Sequence, residues 1–231
     1  AAAGRMESIL KEVSPHFELV MAQPAAVDDI RLVHSDEHIR YVQRIGSTYE
    51  VALLAAGGAI KAAELAIDGE PAFGLIRPPG HHASQNHCWG FCFFNNMAIS
   101  IARLRKGGYI RTAVILDIDL HFGDGTANIF QGVPGVVYFH PEGRDRQEYI
   151  DTISRFLATA KADVVAVSAG FDRHEHDWGG LLKTEDYDTI GKLVKGLAQR
   201  VCQGRRYGVL EGGYNHDVLG RNVKALLEGM S

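Results

Sequence analysis

The feature that most constrains this chain is an alternation. Short apolar, β-branched runs lie near Phe17–Met21, Ala72–Ile76, Thr112–Ile118, Val136–Phe139, Val164–Ser168 and Tyr207–Leu210. Helix-period segments separate them, at about Ser35–Ile45, Tyr49–Ile67, Phe93–Leu104, Tyr149–Ala160, Asp186–Val201 and Val218–Leu227. Strands taking turns with helices predict an α/β fold, a mostly parallel sheet with crossover helices. The runs are apolar on both sides, so helices must cover both faces. No repeat, low-complexity tract or linker interrupts the pattern. With 231 residues, 46% of them hydrophobic, one sizeable core is affordable and a single domain over 1–231 is expected.

Composition narrows the partners. The formal net charge is −4, and no Lys/Arg block of the kind that tracks phosphates occurs; Arg205-Arg206 is too short. Direct nucleic-acid binding is therefore not expected. No apolar run reaches membrane-span length, and the Ala-rich start lacks the charged and apolar regions of a secretory signal. Three cysteines, Cys88, Cys92 and Cys202, are too few and too odd in number for a disulfide framework. They point to a reducing compartment, here the cytoplasm. Cys88 and Cys92 have no second pair to complete a zinc ribbon and read as small buried residues.

In open parallel sheets, ligands bind outside the carboxyl ends of the strands. Four polar clusters fall at that edge: His81-His82 after the second run, Asp117, Asp119 and His121 at the third, Asp172 after the fifth, and Glu211-Gly212-Gly213-Tyr214 after the sixth. In an extended Leu116–His121, positions i, i+2 and i+4 share a face, which groups Asp117, Asp119 and His121. Two carboxylates and an imidazole are costly to bury without a cation, and a divalent metal compensates them. Asp172, after an Ala-Gly break, delivers a third ligand beside Asp119 and His121. Catalytic zinc usually has three protein ligands and one open position. Because this set is hard, Fe²⁺ or Co²⁺ also suits it. The competing reading of the strand end is a hydrogen-bonded polar cluster without metal. His81-His82, stiffened by Pro78-Pro79-Gly80, suits divided acid–base work, with Asp117 and Asp124 available to orient the two rings. Tyr214, after two glycines, can present a phenol to an oxyanion.

RPPGHHA, GFCFFNN (Gly90–Asn96), LDIDLHFGDGT (Leu116–Thr126), SAGFD and LEGGY occur together in this order. The chain thereby closely resembles the histone deacetylase and acetylpolyamine amidohydrolase family, from about Val33 to the end. The resemblance implies the arginase–deacetylase fold and hydrolysis of an acetyl-amide such as acetyl-lysine or an acetylated polyamine. It implies Zn²⁺ on Asp119, His121 and Asp172. His81 and His82 would flank the metal-bound water, with His82 as general base, Asp117 orienting His81 and Asp124 orienting His82. It further implies Tyr214 polarising the acetyl carbonyl, Gly90 and Phe91 lining a narrow substrate channel, and a structural K⁺ near the backbone of Asp117, Asp119 and His121.

Departures from the family cluster at the rim. Relatives carry a segment before Arg5-Met6 and longer loops where Gly46-Ser47 runs directly into Thr48-Tyr49 and Arg144-Asp145-Arg146 into Gln147-Glu148; these are expected to be either true deletions or segments outside this sequence. His174–Gly180 is similar to prokaryotic-type members. Three other readings compete. A metallophosphoesterase needs two metals and an Asn-His pair with acidic neighbours; Asn86-His87 and Asn215-His216 have none. An arginase-like ureohydrolase needs further carboxylates. A non-catalytic acetyl-lysine binder predicts lost ligands, and all are present.

Overall fold

A computed structural model describes residues 3–231. Its sheet comprises β1 (Ala72–Gly74), β2 (Ala113–Asp117), β3 (Val136–Phe139), β4 (Val164–Ala169) and β5 (Arg206–Leu210). The order is β1-β5-β4-β2-β3 and every pairing is parallel. The helices are α1 (Arg5–Val13), α2 (Val27–Ile30), α3 (Asp36–Gln43), α4 (Ser47–Ile67), α5 (Asn96–Lys106), α6 (Asp124–Phe130), α7 (Arg146–Thr159), α8 (Thr184–Val201) and α9 (His216–Met230). Side chains that compete with the backbone start several of them: Ser35, Asn95, Asp145 and Asn215 accept from the backbone N–H groups of His38, Ala98, Glu148 and Asp217.

The alternation of each strand divides the core into two halves. Ala113 and Ile115 of β2 join Ala166, Tyr207 and Val209 beneath α4 and α5, where the buried face of α4 is mostly alanine. Val114 and Leu116 join Val165, Val167 and Leu210 beneath α7, α8 and α9. Both faces are covered, as an apolar parallel sheet demands. The registers Asp117↔Ser168 and Ala169↔Leu210 bring the carboxyl ends of the three central strands to one level. The loops that follow therefore leave side by side.

One expected strand does not form. Phe17–Met21 is irregular, and Leu19, Val20 and Met21 are exposed. β1 is an edge strand, paired with β5, and Phe17–Met21 does not join its open side. An apolar run without a partner cannot satisfy its backbone as a strand. Helices α1, α2 and α6 were not expected from the pattern.

Ile115 is fully buried in the central strand β2. Ile115→Ala should destabilise by about 2–5 kcal/mol and lower Tm by roughly 5–15 °C in a thermal melt. A loss below about 1 kcal/mol would mean that the site collapses around the smaller residue.

Candidate active site

The loops leaving β2 and β4 bring Asp119, His121 and Asp172 together, with one potential ligand atom from each within 4.8 Å of the others. His121 Nδ1 lies 3.3 Å from Asp119 Oδ1 and 3.3 Å from Asp172 Oδ2. Asp119 and Asp172 are buried, whereas the His121 side chain is 39% exposed, which leaves the cluster open on one side. Both oxygens of Asp119 accept backbone N–H groups, Oδ1 from His121 at 2.9 Å and Oδ2 from Gly212 at 2.8 Å. Burial would raise the Asp119 pKa, but the His81 and His121 rings and these N–H groups hold it below the usual carboxylate range. Asp172 Oδ1 accepts from Leu120 N at 2.9 Å, while its buried Oδ2 has no hydrogen-bond partner among the described residues. Burial and the neighbouring Asp119 push Asp172 up to about 7. An orphan carboxylate oxygen facing a second carboxylate and an imidazole is the arrangement a divalent cation relieves.

Glycine is required where this cluster meets the next strands. A Cβ on Gly170 would lie 2.1 Å from Asp119 Oδ2, and one on Gly212 would lie 2.5 Å from the same atom. Only a residue without a side chain lets the backbone approach the carboxylates so closely.

His81 and His82 pack at 4.0 Å between ring centroids. His81 Nδ1 pairs with Asp117 Oδ2 at 3.1 Å, and His82 Nδ1 with Asp124 Oδ1 at 2.6 Å. Each ring thus turns Nε2 away from its orienting carboxylate. The two environments differ. Burial opposes charge on His81, but Asp119, Asp117 and Glu211 overcome it and hold the ring well above the ordinary imidazole value. Burial and the charge on His81 push His82 below that value, against the pull of Asp124. Asp117 itself turns away from the ligand cluster, because β2 ends there. It accepts from Asp119 N and from the Tyr138 hydroxyl at 2.8 Å.

Tyr214 lies at the rim, 40% exposed, rather than in the core. Its ring stacks on Trp178 at 4.0 Å and 17°. Asp177 Oδ2 accepts from the backbone N–H groups of Tyr214 and Asn215, each at 2.8 Å. From below, the buried Arg5 guanidinium donates to the carbonyls of Glu211, Gly212 and Gly213. Burial, Asp119 and Asp172 raise the pKa of the Tyr214 phenol and keep it a donor. Gly90 approaches His82 so closely that a Cβ would lie 2.8 Å from the ring, and Phe91 follows at φ 63°, mostly exposed.

Several supports had no readable sequence signal. Trp89 stacks on His82 at 3.8 Å, and its Nε1 donates to Asp124 Oδ2 at 2.9 Å. Glu211 Oε2 accepts from the Gly80 and His81 N–H groups and props the histidine turn. His81, Cys92 and Glu211 also cluster, but burial pushes the Cys92 thiol up and so disfavours the thiolate a metal would need. The K⁺ expected at Asp117, Asp119 and His121 does not fit the donors present. Arg173 Nε donates to Asp119 O at 3.1 Å and its Nη2 to Leu120 O at 3.3 Å, while both Asp117 oxygens already accept hydrogen bonds. A K⁺ about 4 Å from that guanidinium would be repelled by on the order of 4 kcal/mol at an intermediate dielectric.

A parallel sheet carrying paired, carboxylate-oriented histidines beside an Asp-His-Asp cluster belongs to the α/β amide hydrolases. The family model "Histone deacetylase domain" matches residues 2–141 and 140–230. A probable deacetylase of Methanothermobacter thermautotrophicus is 31% identical over 288 aligned residues, covering 99% of this chain and 84% of that protein. The acetylpolyamine amidohydrolase of Mycoplana ramosa is 31% identical, over 80% of this chain and 64% of that one. The crystal structure of the HDA15 HD domain shares the fold, with a TM-score of 0.82 at 24% identity over 97% of this chain and 80% of that one. The chain belongs to the histone deacetylase family and is a deacetylase, a hydrolase of amide bonds. No helix among the described residues is long and apolar enough to cross a membrane.

Burial lifts Glu211 to about 7, from an ordinary value of 4.5. Between those values the unfolded state loses its proton first, so this residue removes stability as pH rises and the cost is complete above pH 7. Glu211→Gln should match wild type near pH 4.5 and exceed it by on the order of 3 kcal/mol at pH 8. Melting curves at the two pH values test this; a constant difference would show that Glu211 is ionised in the fold.

Proposed function

We propose that the chain is a single catalytic domain that removes an acetyl group from an acetylated amine, such as acetyl-lysine or an acetylated polyamine, with Zn²⁺ held by Asp119, His121 and Asp172. The observation that carries the metal assignment is the orphan Oδ2 of Asp172, buried beside Asp119 and His121. Fe²⁺ suits the same donors, which include no thiolate. When bound, the metal supplies Lewis-acid polarisation of the carbonyl and an acidified water.

The remaining chemistry falls to the chain's own residues. His82, held near neutrality and oriented by Asp124, takes the proton of the attacking water at Nε2. His81, kept cationic by Asp117 and Asp119, stabilises the developing negative charge and leaves the base role to its neighbour. The Tyr214 hydroxyl donates to the oxyanion as the planar carbonyl becomes tetrahedral. The proton then returns to the departing amine. Gly90 lets the channel wall approach His82, and Phe91 offers an apolar face to the acylated side chain. A deacylation panel of acetyl-lysine peptides, acetylated polyamines and small acetyl-amides, run with Zn²⁺ and with Fe²⁺, tests the reading. No turnover on any member with either metal would sink it.

Asp172→Ala should abolish activity by losing metal while the protein still melts cooperatively. Full metal occupancy in the inactive variant would place Asp172 outside the ligand set. Tyr214→Phe should keep its metal and lose about 10²–10³-fold in kcat, with KM changing far less. A fall of only a few-fold would make Tyr214 a packing residue. His82→Ala should lose about 10²–10⁴-fold and more than His81→Ala, both with metal retained; the reverse order would exchange their roles.

A further inference from the structure

We infer that Arg173 is this chain's own structural cation, standing where the family resemblance implies K⁺, so that the ligand loop Ile118–His121 needs no monovalent ion. The loop carries two of the proposed ligands, and beyond the end of β2 at Asp117 the ladder to β4 reaches Ile118, whose N–H donates to Ser168 O at 3.0 Å. Its carbonyls need a cation or donors from elsewhere. K⁺ meets such carbonyls by replacing its water shell with several oxygens. A guanidinium meets them with fixed N–H donors and a charge that cannot titrate away.

Arg173 is placed for that task. It immediately follows Asp172, so its backbone is anchored beside the cluster. Nε reaches Asp119 O at 3.1 Å, and Nη2 reaches Leu120 O at 3.3 Å and His140 Nε2 at 2.9 Å. Its planar head lies over the buried Tyr149 ring, 4.9 Å from the centroid, which fixes the plane of the fork. Burial holds His140 below the ordinary imidazole value, in the neutral form able to accept that bond. Tyr138 completes the replacement. Its hydroxyl donates to Asp117 Oδ2 at 2.8 Å and accepts from Gly123 N at 2.8 Å, engaging the carboxylate that K⁺ would otherwise share. Asp119 O, Leu120 O and both Asp117 carboxylate oxygens thus already have donors from the chain. Arg173 touches no reacting atom in this scheme; it is a positioning residue, acting through Asp119 and His121.

The test does not depend on which amide is hydrolysed. Zn²⁺-loaded protein is exchanged into choline chloride, then analysed for potassium and melted in KCl, NaCl or choline chloride at equal ionic strength. The expected result is no stoichiometric potassium and melting temperatures within about 1 °C of one another. Arg173→Ala should melt lower, bind Zn²⁺ about ten-fold more weakly, and recover part of its stability in KCl but not in choline chloride. Arg173→Lys retains a charge but not the fork; it should stay indifferent to K⁺ while losing part of the Zn²⁺ affinity. One potassium retained per wild-type chain, or a wild-type melt that rises saturably with K⁺, would overturn the inference. So would an Arg173→Ala protein that melts lower yet gains nothing from K⁺, because Arg173 would then be a packing residue only. If Arg173→Ala does not fold, the potassium analysis and the Arg173→Lys melt decide.

Discussion

Negative charge buried at one edge of the sheet organises this molecule. Asp117, Asp119, Asp172 and Glu211 lie beneath the surface within a few residues of the ends of β2, β4 and β5. Four carboxyl groups so close together in a poorly solvating interior are tolerable only with donors or cations around them. Each finds a different answer. Asp119 takes backbone N–H groups from two loops. Asp117 takes a tyrosine hydroxyl and a histidine. Glu211 takes the two N–H groups of the histidine turn. Asp172 keeps one oxygen without a hydrogen-bond partner among the described residues, and that residual demand is what a metal would meet.

The same demand explains the glycines and the charge on His81. Backbone can serve as the solvent of a carboxylate only if it comes close, which Gly170 and Gly212 permit. An imidazole between Asp117 and Asp119 is driven to the cationic form, whereas its neighbour, sharing a single half-exposed carboxylate, is not. Two adjacent histidines thus acquire opposite protonation preferences: carboxylates outweigh burial at His81, whereas at His82 burial and the charge on His81 outweigh Asp124. That asymmetry is electrostatic in origin and needs no difference in the residues themselves.

The sheet was legible because its strands are buried on both faces and so read as continuous apolar runs. Phe17–Met21 reads as a similar apolar run yet is irregular and exposed, because it joins no strand; that is a tertiary fact with no local trace. Helix α6 was hidden because it begins Asp-Gly-Thr, a turn-like start that the tertiary packing overrides. For the site, the alternation argument assembled Asp117, Asp119 and His121 on one face of an extended chain. The strand stops at Asp117, so the three do not share a face; Asp119 and His121 turn toward Asp172, and Asp117 turns toward His81 and Tyr138. The residues at the edge were legible, while their division into a candidate ligand set and an orienting carboxylate was not. Trp89, Trp178, Arg5 and Arg173 left no signal, because a side chain that braces another across the fold has no spacing rule.

Those braces separate two mechanical regimes. The foot of the site hangs on strand ends in register and on buried hydrogen bonds. The rim is different: Trp89, Phe91, Phe122, Trp178 and Tyr214 are all substantially exposed. Aromatic faces in water gain from any flat or apolar surface laid on them, and they can shift without disturbing the sheet. Two of them are nonetheless tied to the proposed catalytic groups, Trp89 to the His82–Asp124 pair and Trp178 to Tyr214. A molecule that displaced either indole would therefore also alter the setting of the base or of the oxyanion donor.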